Sequence, residues 1–187
     1  MTSSSTVDYT AELTQMLRND FKSKGPATVE RVVNRDDAQQ LCSQYTEGVP
    51  KEVAARIEKA QLQTIKYPAD GKYLGDWKEG EKVAQSGRGM QSSDAVGGVN
   101  GGNCYACHQL SKAEISFGNI GPTLYNYGKL RGQSDAIMQY TWGKVYNAQA
   151  YSACSNMPRF GHNGVLTEKQ IKDVMALLMD PKSPVNQ

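Results

Sequence analysis

Two thiols, two intervening residues and an imidazole, Cys104-Tyr105-Ala106-Cys107-His108, form the densest group of chemically capable side chains in this sequence. The spacing suits covalent capture of haem. Each thiol adds to one vinyl group, and the adjoining imidazole binds the iron from below. With two residues between them, one turn of chain can reach both vinyl carbons. Competing chemistries fit less well. A structural zinc site needs four ligands, with a second pair at similar spacing, but Cys42, Cys154 and His162 stand singly. A redox dithiol of the thioredoxin kind would leave the adjacent His108 unexplained. The expectation is one haem c, bound through thioethers to Cys104 and Cys107 and ligated by His108.

A second axial ligand must come from elsewhere, and methionine opposite histidine raises the reduction potential of such a haem. Downstream of the motif stand Met138, Met157, Met175, Met179 and His162. Met138 falls in a helical pattern opened by Ser134, with Ile137, Thr141 and Val145 on its face, where methionine usually fills core space. Met175 and Met179 belong to a last helix announced by Thr167 and Gln170 at capping-box spacing and stopped by Pro181. Met157 lies in Ser155-Asn156-Met157-Pro158-Arg159-Phe160-Gly161, and Pro158 disfavours helical geometry at the residue before it. Met157 is therefore the leading sixth-ligand candidate, with His162 or an open position as alternatives.

The elements that must present these groups are helical, with almost no strand-like alternation. Leu13, Met16, Leu17 and Phe21 share one helical face, and Ala38, Leu41, Cys42 and Tyr45 share another behind an Asn34 or Asp36 cap. Val53 to Leu62 reads as a third helix, with Pro50 suited to its first turn. Pro68, Gly71 and Gly75 mark a boundary, giving an N-terminal helical extension, 1–70, and a haem-carrying domain, 71–187. Lys78 to Arg88 is predicted as the first helix of that domain, with Gly80 and Ala84 allowing a close crossing of the last helix. Gln91 to Gly101 is rich in Gly and Ser and reads as a flexible surface loop.

Composition narrows the function classes. The chain has 187 residues, 39% hydrophobic and 21% charged, as in globular proteins, and no apolar run long enough for a membrane span. With 21 basic and 19 acidic side chains and no basic block, nucleic acid is not an expected partner. The opening Met1-Thr2-Ser3-Ser4-Ser5 lacks the features of a secretory signal. Because thioether attachment of haem in bacteria belongs to exported proteins, the expected location is the periplasm, with a signal peptide already removed. Export favours a disulfide between Cys42 and Cys154 over two unpaired thiols, and that bond would tie the extension to the Met157 loop.

The motif in its setting Gly102-Asn103-Cys104-Tyr105-Ala106-Cys107-His108, the stretch Gly118-Asn119-Ile120-Gly121-Pro122-Thr123-Leu124, the loop Met157-Pro158-Arg159-Phe160-Gly161 and the terminal Asp180-Pro181 together resemble a class I cytochrome c. The resemblance is to the SoxX type, the monohaem subunit of the SoxAX thiosulfate-oxidising complex, over about residues 71–187. It implies a mostly α, class I cytochrome c fold around one haem, with Pro122 offering its carbonyl to the outer ring nitrogen of His108. It also implies a heterodimer with a SoxA-like cytochrome, a sulfur-carrier protein reached through the complex, and an acceptor cytochrome. The complex would act as an L-cysteine S-thiosulfotransferase with its catalytic haem in the partner, and no residue of this chain would be catalytic. The insertion at 91–101 and the 70-residue extension depart from the usual subunit.

Two other readings stand beside this one. A free-standing electron carrier would show a ring of lysines, for which Lys112, Lys129 and Lys144 are the candidates, whereas a stable heterodimer would show an apolar patch near the haem edge. A haem enzyme or gas sensor would keep the sixth position open. Tyr105, Phe117, Tyr125, Tyr127 and Phe160 are candidates for the haem lining or the docking face, with the core as their default place.

Overall fold

The structure is a computed structural model that describes residues 9–45 and 48–187; the opening run Met1–Ser5 lies outside them. Eight α-helices occur among the described residues: α1 (Thr10–Asp20), α2 (Glu30–Val33), α3 (Asp37–Ser43), α4 (Lys51–Leu62), α5 (Trp77–Gln85), α6 (Tyr127–Arg131), α7 (Asp135–Tyr146) and α8 (Glu168–Met179). There is no strand among them, only an isolated bridge between Lys24 and Ala27. The fold is mostly α, as expected.

Side-chain caps start the helices that matter most for the site. Thr167 and Gln170 form the expected capping box of α8, each side chain accepting from the other's backbone N–H and satisfying donors that a helix start leaves free. Ser134 caps α7 and Asp76 caps α5. For α3 the choice between Asn34 and Asp36 falls to Asp36, again in a capping box, with Gln39. Pro50 stands at the N-cap of α4 rather than inside its first turn, so its carbonyl, not its ring, begins the helix.

α5 and α8 make the most extensive helix–helix contact. A Cβ at Gly80 would overlap the carbonyl oxygen of Asp173, so the two backbones meet where α5 carries no side chain. Ala84 is fully buried beside it. Around this crossing Val83, Leu110, Trp142, Val145, Phe160, Leu166, Ile171, Val174, Met175 and Leu178 form one apolar core. Met138, Met175 and Met179 are all buried, filling the core roles their helical spacing predicts.

Three expectations are corrected. α5 ends at Gln85, short of Arg88, because the segment leading into the cysteine motif claims the carbonyls of its last turn: Gly102 N–H donates to Val83 O (2.7 Å) and Asn103 N–H to Ser86 O (3.0 Å). α1 buries nothing; Leu13, Met16 and Phe21 stay exposed, and its apolar stripe faces outward. The stretch 91–101 is more than a loose loop. Its tip exposes Val96 and Val99, but Asp94 accepts from Gly89 and Gln91 N–H, Arg31 donates to Met90 O (2.8 Å), and Asn100 is bonded to both Val165 and Gln170.

The segment before residue 71 is joined to the rest by specific contacts. Ile57 and Gln61 of α4 are buried, Trp142 Nε1 donates to Lys66 O (2.9 Å), and Cys42 and Cys154 form a disulfide with Cα atoms 5.5 Å apart. By the chain-entropy account, cross-linking residues 112 positions apart stabilises the fold by roughly 5 kcal/mol.

Gly80→Val forces side-chain atoms into the Asp173 backbone. It is expected to cost about 3 kcal/mol and lower the thermal midpoint by roughly 10 °C for a chain of this size, measured by circular dichroism.

Candidate haem site

Cys104 to Ala106 is a single 3-10 turn, entered through Asn103 in the left-handed region at φ +47°. The turn closes with His108 N–H donating to Cys104 O (2.9 Å), which sets the imidazole one turn beyond the first thiol. The returning stretch braces it from outside: Gly118 N–H donates to Tyr105 O, Gly121 N–H to Cys107 O and Leu124 N–H to Gln109 O, at 2.8–2.9 Å. Two glycines make this approach feasible. A Cβ at Gly118 would overlap Ala106 O, and one at Gly121 would overlap the His108 ring.

His108 Nδ1 donates to the carbonyl oxygen of Pro122 at 2.7 Å. A carbonyl only accepts, so Nδ1 carries the proton and Nε2 keeps its lone pair. The same bond fixes the ring's orientation and raises the basicity of Nε2, as is usual for metal-bound imidazoles. Cys104 and Cys107 are unpaired thiols. Burial pushes the Cys104 thiol up to about 12, so it is a neutral S–H at physiological pH. The donor set thus fits a haem c: two thiols free to form thioethers, one oriented imidazole with a free lone pair, and side-chain-free backbone at Gly121 beneath that ring. A nearby surface groove lined by Gln85, Tyr105, Glu114 and Phe117 includes neither thiol nor the imidazole and lies outside this arrangement.

Met157 sits in the irregular stretch between α7 and α8, half-buried and packed against the apolar core that also receives Cys104. The alternative ligand His162 is otherwise engaged. Its Nδ1 bonds Thr64 Oγ1 (3.1 Å) and its Nε2 lies 3.9 Å from Asp36 Oδ2. Burial, then the Arg159 charge, holds its pKa below the ordinary value against the pull of Asp36, so the ring is neutral at pH 7. Cys42 and Cys154, joined to each other, are not available as zinc ligands.

Of the aromatic candidates, Tyr105 and Phe160 are buried in the core, Tyr125 and Tyr127 are half-buried, and Phe117 is exposed. Sequence reasoning missed Arg159. Its side chain, 5% exposed, contacts Asp36 Oδ2 at 2.7 Å and donates to Gln61 Oε1 at 3.1 Å. The one available signal was an arginine next to a proline and a buried phenylalanine, which does not reveal a partner far along the chain.

Comparison with known proteins agrees with this geometry. The sequence pattern of the family described as "Cytochrome c" matches residues 99–181, from the approach to the motif to the end of α8. An Aquifex aeolicus (strain VF5) protein described as an uncharacterized lipoprotein is 38% identical over 168 residues, spanning 89% of this chain and 80% of that protein. The chain carries a cytochrome c domain. Among solved structures, the crystal structure of SoxXA from P. pantotrophus contains a chain 25% identical, matched over 59% of this cytochrome and 84% of its own length with a TM-score of 0.40, a partial likeness only. That domain brings haem c and electron transfer as the cofactor and the role. No described helix is long and apolar enough to cross a membrane.

Asp36 supplies a pH signature for this cytochrome. Burial raises its carboxyl, but the Gln39 N–H and the Arg159 guanidinium outweigh burial and hold it below the ordinary 3.8. A carboxylate with a lowered folded-state value stabilises fully above its unfolded value, and that contribution disappears as pH falls through the folded value. The stability gap between wild type and Asp36→Asn, measured by urea unfolding of the holoprotein, should be widest at pH 7 and close as pH falls below about 3.8.

Proposed function

We propose that this chain is a SoxX-like, one-haem electron-transfer subunit that works beside a SoxA-like cytochrome in thiosulfate oxidation. In this reading residues 71–187 form the cytochrome domain and 1–70 an added extension. Cys104 and Cys107 would hold one haem c through two thioethers, and His108 and Met157 would ligate its iron. The haem supplies a one-electron ferric–ferrous couple. The chain's own residues orient His108 through Pro122 and pack Met157 against the apolar core, which would limit the access of water to its sulfur. With His108 and Met157 both holding the iron, this subunit would bind no substrate there. The complex would couple thiosulfate to a carrier-protein cysteine at the partner's haem, and this subunit would pass the released electrons to an acceptor cytochrome.

The observation that carries the ligand assignment is the 2.7 Å bond from His108 Nδ1 to Pro122 O, because it prepares Nε2 as a ligand beside two free thiols. For the SoxX reading, the support is the combination of the Gly118-to-Leu124 stretch with the Met157-Pro158-Arg159-Phe160 loop. A stable heterodimer is favoured over a roaming carrier by the surface near the motif. Ile115, Phe117 and Ile120 are exposed there, whereas Lys144 is half-buried, with a pKa lowered by burial, and is poorly placed for a docking ring. Periplasmic location is supported by the thioether chemistry and by the Cys42–Cys154 disulfide.

The ferric holoprotein should show the weak long-wavelength absorption of a sulfur–iron bond. Met157→Ala should abolish that band and His162→Ala should leave it; a band that survives Met157→Ala rules out the assignment. Mixed with a SoxA-like cytochrome, the chain should elute as a one-to-one complex in size-exclusion chromatography, and elution as two separate peaks would return the free-standing carrier as the better reading.

A further inference from the structure

Met157 lies in a short span, Ser155 to Pro158, whose two ends are both fastened to the N-terminal segment. On the near side, Ala153 N–H donates to Glu58 Oε1 (3.0 Å) and Cys154 is bonded to Cys42. Cys154 itself adopts a left-handed backbone conformation, φ +59°, which a non-glycine residue holds only when its surroundings fix it. On the far side, Arg159 reaches Asp36 and Gln61, Gly161 and His162 N–H both donate to Tyr146 O, and the His162 ring meets Thr64. Gln61 Oε1 also accepts from Asn147 Nδ2 (2.9 Å), so the Arg159 contact is tied into the end of α7 as well.

The Arg159–Asp36 pair is a costly way to gain stability. The buried Arg159 guanidinium loses its hydration, while the Asp36 carboxylate stays partly exposed, so the desolvation cost falls mainly on the arginine. What it gives instead is direction. The planar fork has fixed donor positions, and here it engages two acceptors on two different helices. Asp36 serves both tasks at once, its Oδ1 capping α3 and its Oδ2 holding Arg159.

We propose that Asp36 and Arg159 are positioning residues for the sixth iron ligand, holding the far end of the Met157 span so that the thioether stays on the iron and is not exchanged for an external ligand. This rests on the reading of Met157 as that ligand. The N-terminal extension then acts on the redox site through the Met157 loop, by way of Asp36. Asp36 sets the register of the loop, and Arg159 carries that register two residues back along the chain to the sulfur.

Imidazole titration of the ferric holoprotein tests this. In the exchange the iron–sulfur bond breaks and an iron–nitrogen bond forms, with no change of oxidation state. Asp36→Asn is the informative variant, since asparagine caps a helix as well as aspartate does and α3 is retained while the charge facing Arg159 is lost. Asp70→Asn is the control; it removes an exposed ion pair with Lys172, away from the loop. Imidazole affinity should rise at least 100-fold in Met157→Ala, about tenfold in Asp36→Asn, and less than about twofold in Asp70→Asn. The reduction potential of Asp36→Asn should fall below that of wild type. If Asp36→Asn stays within twofold of wild type while Met157→Ala gains, the positioning role is wrong and the ligand assignment stands. Equal gains in Asp36→Asn and Asp70→Asn would also overturn the role, since general loosening would then explain both. Wild type binding imidazole as tightly as Met157→Ala would remove the ligand assignment itself and the positioning role with it.

Discussion

The closeness of α5 and α8 at Gly80 constrains everything built around them. With no side chain at that point, the backbone of α5 rests directly on the carbonyl of Asp173, and the position of α8 follows. From there the consequences run in both chain directions. The last-turn carbonyls of α5 receive the N–H groups of Gly102 and Asn103, so the start of the cysteine motif is fixed against the crossing. The N-terminal end of α8 receives the Met157 loop through Val165 and Leu166, whose N–H groups both donate to Phe160 O. The approach to the cysteine motif and the return from the Met157 loop thus meet at one end of the helix pair, where Asn100 is bonded to both Val165 and Gln170.

Two kinds of force hold the two ligand-bearing segments. On the His108 side the restraint is mostly backbone hydrogen bonding in a tight, glycine-dependent loop, where Gly118, Gly121 and Leu124 N–H reach back to the carbonyls of Tyr105, Cys107 and Gln109. On the Met157 side it is long-range and chemically varied: a disulfide, a buried ion pair, and a polar network through Gln61, Thr64 and Asn147. The backbone bonding keeps the first segment's restraints within the stretch from Val83 to Leu124. Long-range bonding makes the second segment depend on the whole chain, including the part outside the region that matches the cytochrome c pattern.

That difference also explains what could be read from the sequence. The caps of α7 and α8, the core methionines Met138 and Met175, and the loop character of Met157 follow from local chemistry, because a cap or a proline acts within four residues of itself. The outward stripe of α1 shows where periodicity stops being informative: Leu13, Met16 and Phe21 are spaced for burial, yet among the described residues they stay exposed. The end of α5 was misplaced because the groups that stop it come from the cysteine motif, well beyond the helix. Arg159 was invisible for the same reason. Its acceptor Gln61 lies 98 residues away, and no local pattern distinguishes an arginine that will be buried from one that will face solvent.

The four cysteines have opposite fates, and the fold must keep them apart. Cys104 and Cys107 lie three residues from each other, while Cys42 and Cys154 are 112 apart. In an unfolded chain, loop-closure entropy favours oxidation of the near pair, the pair that must remain reduced if it is to bind haem. Folding reverses the preference. It brings the distant sulfurs of Cys42 and Cys154 together, with Cα atoms 5.5 Å apart. The correct pairing of four cysteines is therefore a property of the folded chain, set by the segment before residue 71 meeting the Met157 loop, and not of spacing along the sequence.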